Sequence, residues 1–293
     1  MKLYQASMNL RVLKKYFELF PEPVNILLSI ALIGGDTKGF LIDHRNMVES
    51  IVADSGAWSV AKGKSTLPLD ALISYLKLWG HLFDWYFNFD TNFSDQGFKD
   101  NYENQLRMEK EGLTPIPVVH NFFNFEIDFY MSLGRYPWLA LGSAQSKTFD
   151  DFEYAVNRIK RKDSSVKIHW FGGSRYEWLI RTPVASCDTS SWAKAGSYGY
   201  ILYWNDQQEG LYKGHRIYVG GYIKDEDDGS YHFVTYRWRK DLEEYLDKNF
   251  HLEYGDLVGY NDIFNMQVIN TRFYVELEKR VNAERQKRGI PLE

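Results

Sequence analysis

Short apolar runs recur along this chain, each closed by a polar or glycine-rich end and followed by an amphipathic stretch. Eight of them read as strands: residues 26–33, 51–53, 85–89, 116–119, 138–141, 167–171, 184–186 and 200–204. Apolar runs of this length, bounded by Gly, Pro and Asp, suit strands buried on both faces. Between several of them the spacing predicts helices, over 69–81, over 99–111 with a polar face, and over 150–162 with Phe152, Tyr154, Val156 and Ile159. Strands alternating with helices predict βαβ units and a parallel sheet. Eight such strands predict an α/β fold of the closed (β/α)8 TIM-barrel type, and 293 residues suit such a barrel with an insertion. Residues 1–20 spread Lys14, Lys15 and Glu18 among apolar positions, an amphipathic pattern with no signal-peptide core.

The pattern breaks after the eighth predicted strand. Segments 216–223 and 231–238 flank a charged stretch at 225–229, which predicts a β-hairpin insertion spanning 206–240. Two helices follow, about 241–249 and 262–286. The last carries Ile263, Val268, Phe273, Val275 and Leu277 and is suited to close the barrel. The expectation is one barrel domain over 1–293 with the hairpin within it.

Composition narrows the class. The chain is 44% hydrophobic and 25% charged, a globular balance. Aromatics reach 17%, so most of them must be core. Ser29 interrupts the longest apolar run, 26–33, far short of the roughly 20 residues of a membrane span. A single cysteine, Cys187, excludes an internal disulfide and a cysteine-rich zinc site. No metal, no cofactor, no membrane association and a cytoplasmic location are expected.

The net charge of −4 argues against a non-specific nucleic-acid binder, which is usually basic. Local clusters remain at 158–162, at Arg237-Trp238-Arg239-Lys240 and along 279–288. The last is accounted for by a solvated helix face. The middle one interleaves Tyr236 and Trp238 with Arg237, Arg239 and Lys240, which suits phosphate contact with base stacking.

Several predicted strands end on chemically capable residues. The second runs into Asp54-Ser55-Gly56, the third into Asp90, and the fourth into His120-Asn121. The fifth ends Leu141-Gly142-Ser143, the sixth Phe171-Gly172-Gly173, and the seventh Cys187-Asp188-Thr189-Ser190. In a (β/α)8 barrel these C-terminal ends converge on the face that holds the active site. Glycines there let backbone approach a flat ligand. Each residue also has a plainer role available: an Asp after a strand caps the next helix or closes an Asx-turn, and a lone His packs in a loop. It is the repetition on consecutive strands that points to one pocket.

Those same segments resemble, in order over about residues 50–200, the motifs of tRNA-guanine transglycosylases. Asp54-Ser55-Gly56-Ala57-Trp58 is similar to the family's Asp-Ser-Gly-Gly-aromatic segment. Asp90 stands as its base-recognising aspartate, and Val118-Val119-His120 where many members have Val-Gln. Leu139-Ala140-Leu141-Gly142-Ser143 resembles its backbone clamp, and His169-Trp170-Phe171-Gly172 its His-Leu-Met/Phe-Gly strand. Asp188, followed by Ala193-Lys194-Ala195-Gly196, resembles the nucleophile segment. The family's zinc site of three cysteines and a histidine is missing after the eighth predicted strand, where there is no cysteine and His215, His232 and His251 are far apart. No RNA-binding appendage is visible either. Cofactor-free relatives of this kind resemble phage-type enzymes that place 7-deazaguanine bases in DNA. The resemblance therefore favours DNA over tRNA as partner, with a free 7-deazaguanine as incoming base and, for a phage protein, the host cytoplasm as its setting.

Base exchange at a nucleoside C1′ without backbone cleavage needs a double displacement, as in retaining glycosidases. The resemblance implies Asp188 as nucleophile, which must stay ionised, and Asp54 as general acid/base, which a raised pKa would help. It implies Asp90 and His120 on the base edge, with Gly142, Ser143, Gly172 and Gly173 offering backbone groups. Trp58 or Tyr176 would stack on the base, which must be flipped out or single-stranded. Two other classes fit parts of the pattern. A retaining glycoside hydrolase also needs two carboxylates and aromatic platforms, but a third aspartate with glycine-rich strand ends suits a planar purine better. A non-catalytic nucleic-acid-binding barrel has no need of the Asp54 and Asp188 pair.

Overall fold

The computed structural model describes residues 1–32, 36–94, 96–142, 148–220 and 230–292. In chain order the strands are β1 (Lys2–Ala6), β2 (Val24–Ser29), β3 (Val48–Asp54), β4 (Trp85–Tyr86), β5 (Val118–Val119), β6 (Trp138–Leu141), β7 (Lys167–Trp170), β8 (Ser186–Thr189), β9 (Tyr200–Trp204), β10 (Gly214–Tyr218) and β11 (Ser230–His232). The helices are α1 (Leu10–Leu19), α2 (Ala57–Ala61), α3 (Leu69–Trp79), α4 (Phe98–Lys110), α5 (Glu126–Leu133), α6 (Phe149–Lys162), α7 (Tyr176–Leu179), α8 (Ser191–Ser197), α9 (Arg239–Phe250) and α10 (Asp262–Arg288). Residue contacts divide the chain into two compact units. The first comprises 1–7, 24–189 and 281–293, and the second 8–23 and 190–280.

The first unit is built on an eight-stranded, all-parallel, curled sheet flanked by helices, ordered β4-β3-β2-β1-β8-β7-β6-β5. This is a mixed α/β architecture compatible with a TIM-like fold. Its concave face gathers Tyr4, Ala6, Leu27, Val52, Phe87, Ile116, Val118 and Ala140 into one buried cluster, with Trp85, Trp138 and Phe171 packed against it. Residues from β1 to β6 meet there because alternate side chains of every strand point the same way. Beyond the two outermost strands, Phe87 and Ile116 form a parallel bridge. Ile116 N donates to Tyr86 O at 2.8 Å, and Asn88 N donates to Ile116 O at 2.9 Å.

Two sequence expectations need correction. The eighth strand of this sheet is not 200–204 but β1, which lies between β2 and β8. Leu3, Tyr4, Gln5 and Ala6 are all buried, so β1 is covered on both faces. Its Lys2 and Gln5 broke the apolar signal and merged it with the amphipathic helix that follows. That helix, α1, starts only at Leu10, where the Asn9 side chain caps it by accepting from Arg11 N at 2.7 Å.

The strand expected as eighth is β9, and it belongs to a three-stranded sheet in the second unit, ordered β11-β10-β9. There β9 and β10 pair antiparallel, whereas β10 and β11 pair parallel. The predicted hairpin between 216–223 and 231–238 is therefore not formed, since a parallel pair needs a crossover rather than a turn. Its charged turn at 225–229 lies outside the described residues. After β11 the chain bends at once, with His232 Nδ1 accepting from Val234 N at 3.1 Å.

The helices of the sheet unit follow local rules. Thr148 and Asp151 form a capping box at the start of α6, and Lys160, Arg161 and Lys162 close it at the negative end of the helix dipole. In that basic cluster Arg158 bonds Asp128 and donates to Phe122 O at 2.9 Å, and Lys162 sits 3.0 Å from Asp128. These cations hold α5 and α6 together.

The last turns of α10 belong to the sheet unit and carry a fully buried arginine, Arg285. It donates to Leu179 O at 2.6 Å, Val184 O at 2.8 Å and Thr182 O, satisfying the carbonyls between α7 and β8. Substituting Arg285→Met strands three buried acceptors at once. A loss of about 3 kcal/mol or more is expected, read as a lower urea midpoint at unchanged slope. Among the described residues no helix is long and apolar enough to cross a membrane.

Candidate active site

In a parallel sheet all C-terminal strand ends share one edge, and the chemically capable residues cluster there. Asp54 is the last residue of β3, Asp90 and His120 follow β4 and β5, Gly142 and Gly172 follow β6 and β7, and Asp188 lies within β8. A cavity of about 340 Å³ opens at this edge. Asp54, Ser55, Asn88, Asp90 and His120 supply its polar lining, and Trp58, Phe87, Phe93, Val118 and Phe171 its apolar walls. Ala57, Gly142 and Gly172 complete it. A few convergent polar groups in an apolar cleft of this size are what a small planar ligand needs.

Asp54 leaves the sheet into a turn that only glycine permits. Gly56 has φ +81°, and a Cβ there would lie 2.3 Å from the Ala31 Cβ. Although the residue keeps some surface open to the cavity, its carboxyl is hemmed in by protein. Burial pushes its pKa up to about 6, and the negative charges of Asp188 and Asp90 add to this, against hydrogen bonds from Gly56 N and Ser29.

Asp90 is buried. One oxygen accepts from Asn88 Nδ2, and the other lies 2.9 Å from His120 Nε2. Neither bond closes a local Asx-turn, so the plainer role suggested for Asp90 is not what its carboxylate does. Burial, the largest influence on His120, lowers its pKa, but the hydrogen bond and charge of Asp90, with the charge of Glu126, more than offset it, leaving the imidazole raised. Glu126 is buried at the start of α5 and fixes the loop by accepting from His120 N at 2.7 Å and Asn121 N at 3.2 Å.

Asp188 is 7% exposed and lies outside the cavity lining. Gly172, in the left-handed region at φ +64°, donates its N–H to Asp188 Oδ1 at 2.8 Å. The carboxylate therefore bonds across to the β7 end rather than capping α8, whose cap residue is Ser190. Fully buried His169 places Nε2 3.4 Å from the same oxygen. That distance is at the outer edge of a hydrogen bond and acts chiefly electrostatically, while Nδ1 pairs with Ser186 Oγ at 2.9 Å. Burial holds the His169 pKa down, partly countered by Asp188.

The structure therefore brings Asp54, Asp90, His120, Gly142, Gly172 and Trp58 to one cavity, with Asp188 joined to its wall through Gly172. Gly173 does not line it. A Cβ at Gly173 would fall 2.0 Å from the Trp170 ring, so this glycine serves packing. Ser143 lies outside the described residues. Tyr176 is buried and does not line the cavity. In the second unit Tyr236 is also buried, its OH 2.7 Å from His215 Nδ1 and 3.1 Å from Asn205 Nδ2, so it offers no stacking face between the cations. Arg237 and Lys240 are exposed, whereas Arg239 is tied to Glu243 at 2.7 Å.

Sequence reasoning missed Ser29, Asn88, Phe93 and Glu126. Asn88, two residues before Asp90, could have been found by strand alternation; Phe93 sits in a loop whose course the pattern does not specify, and Glu126 opens α5, a helix the pattern did not predict. Among the described residues no group of three or more His, Cys, Asp or Glu is placed to hold a metal ion. Compared with known protein families and with curated proteins, the chain matches none.

Proposed function

We propose that this chain is a guanine-transglycosylase-type enzyme that exchanges guanine in DNA for a free 7-deazaguanine base through a covalent glycosyl-enzyme intermediate. The observation that carries this reading is a base-sized cavity lined by Asp54 and Asp90, with a further carboxylate, Asp188, bonded to Gly172 of its wall. Asp54 is desolvated and raised in pKa, whereas Asp188 is held by a backbone N–H. A carboxyl raised by burial suits a general acid and base, and a carboxylate oriented by a fixed N–H suits a nucleophile. Asp90 with His120 supplies a third polar edge, which a sugar-cleaving site does not require.

In the first half-reaction an Asp188 oxygen bonds to C1′ as the C1′–N bond breaks, and protonated Asp54 gives its proton to the departing base. In the second, Asp54 takes the N–H proton of the incoming base, whose nitrogen bonds to C1′ as the Asp188 ester breaks. Atoms and charge balance, and no cofactor enters. Asp90 accepts from the N–H and amino groups of either base, steadied by His120. The sheet is inferred to close as a (β/α)8 barrel, a reading supported by the Phe87–Ile116 bridge, which adjoins the ends of its two outermost strands. DNA is preferred to tRNA because the stretch after β9 lacks the family's zinc cysteines. A buried lone thiol, Cys187, fits a reducing compartment, so the cytoplasm is the proposed setting.

The test is exchange of labelled guanine into DNA and into tRNA, followed by mass spectrometry of the nucleosides. Incorporation into neither overturns the reading. Asp90→Asn removes one acceptor and presents an amide N–H to the base. Its affinity for free guanine, measured by calorimetry, is expected to fall about 10- to 100-fold. A glycoside hydrolase would bind no guanine in either form.

A further inference from the structure

All five exposed aromatic side chains described in the sheet unit, Trp58, Phe93, Phe123, Phe125 and Tyr154, lie beyond the C-terminal ends of β3, β4, β5 and β6. The remaining aromatics of that unit are buried or half-buried. Two of the five, Trp58 and Phe93, are also walls of the cavity. Their rings meet edge-on at 5.2 Å, and Phe93 meets His120 at 5.1 Å. Three residues past His120, Phe123 stands 55% exposed and lies nearly parallel to Tyr154, with centroids 5.6 Å apart and planes 17° apart. The loop that presents it is built. Asn121 Oδ1 accepts from Phe123 N at 3.0 Å and from Asn124 N at 3.2 Å.

Exposed rings cost hydration free energy, and five of them beyond the strand ends that hold the cavity mark a binding surface. Positive charge accompanies these rings. Lys62 Nζ sits 4.6 Å from the Trp58 ring centroid, and residues 55–69 carry Lys62 and Lys64 with no acidic residue. Arg158 lies 5.8 Å from the Tyr154 ring with its charge paired to Asp128, so Lys62 and Lys64 supply the cations. Aromatic faces flanked by cations match alternating bases and phosphates.

We infer that these exposed rings, of which Trp58 and Phe93 also wall the cavity, are a stacking platform for unpaired nucleotides of a single DNA strand flanking the extruded guanine. The inference rests on the base-exchange reading for what enters the cavity. The platform itself is read independently, by strand binding. Bases next to an extruded nucleotide lose a stacking partner, and Phe123 with Tyr154 would supply one. Recognition through ring faces tolerates sequence, because every base has a π-face.

The test is fluorescence anisotropy with the full chain and a labelled single-stranded DNA of mixed sequence, about 15 nucleotides long, close to the upper site size of such grooves. The Phe123→Ala/Tyr154→Ala double variant is expected to bind about tenfold more weakly or worse. Phe123→Leu, which keeps apolar area but no ring face, is expected to weaken binding too, and Tyr154→Phe to retain it. Tyr260→Ala, at a fully exposed ring of the second unit, is expected to bind as the wild type does. Unchanged binding by the double variant overturns the platform, as does a wild type that binds no single strand at low salt. Tighter binding of an RNA strand of the same sequence overturns the assignment to DNA. Loss of wild-type self-association in the double variant, with DNA binding intact, assigns the rings to a protein contact instead. Calorimetry of the wild type with free guanine separates the two proposals: no guanine binding with ring-dependent DNA binding removes base exchange and leaves the platform.

Discussion

Asp188→Asn protein is expected to form no covalent adduct with substrate nucleic acid and to lose guanine exchange by about a thousandfold or more. An amide oxygen is too weak a nucleophile to displace a base, and removing a covalent nucleophile typically costs several orders of magnitude. The substitution is nearly isosteric. Gly172 N–H can donate to the Asn oxygen as it does to Asp188 Oδ1 at 2.8 Å, so the local fold should persist. Nucleic-acid binding should persist as well, because the attacking group contributes to the transition state rather than to ground-state affinity. A denaturing gel of protein incubated with labelled substrate reads the adduct, and labelled guanine reads the exchange. Near wild-type exchange by folded Asp188→Asn protein would remove Asp188 from the mechanism, and the proposed activity with it.

For Asp54→Asn two changes of opposite sign are expected in one variant. Exchange should fall by about 10² to 10⁴, the usual contribution of a general acid–base. With its pKa at about 6, Asp54 must be protonated for base departure, so adduct formation should decline as pH rises through about 6. It must be ionised for the return step, which should decline as pH falls through the same value. The Asn variant should show neither limb.

Stability should move the other way. The folded-state pKa of Asp54 lies above its ordinary value of 3.8, so between these values the folded protein binds more protons than the unfolded chain. Stability then falls as pH rises across that window, and the penalty is fully present above about pH 6. Asp54→Asn removes the penalty, so its melting temperature should exceed the wild type's at neutral pH, with the gap closing below about pH 4. A lower melting temperature at neutral pH would show that the buried carboxylate holds the fold together and would contradict its assignment as a strained functional group.

The strand ends were legible because burial on both faces writes an unbroken apolar run, and a polar residue at its end stands out. Asp54, Asp90, His120 and Asp188 were each visible this way. β1 was not, because five residues with Lys2 and Gln5 among them carry no run. β9 was legible as a strand but not as a member of another sheet, since β9 and the sheet strands share the same apolar signature. The three strand-end glycines looked alike in sequence. Gly142 and Gly172 line the cavity, whereas Gly173 yields its space to Trp170.

By itself the sequence determined the alternation of strands and helices, the parallel sheet it implies and the residue types at the strand ends, since periodicity and chain length constrain these locally. Only the tertiary structure decided which strand fills the central place beside β8, that Asp188 bonds Gly172 rather than capping a helix, and that Asp90 pairs with His120. Only there is Asp54 buried with Asp188 and Asp90 near enough to raise it further, and only there do Phe123 and Tyr154 stack. Those are through-space relations between segments tens of residues apart, set by strand order and register, and no local pattern encodes them.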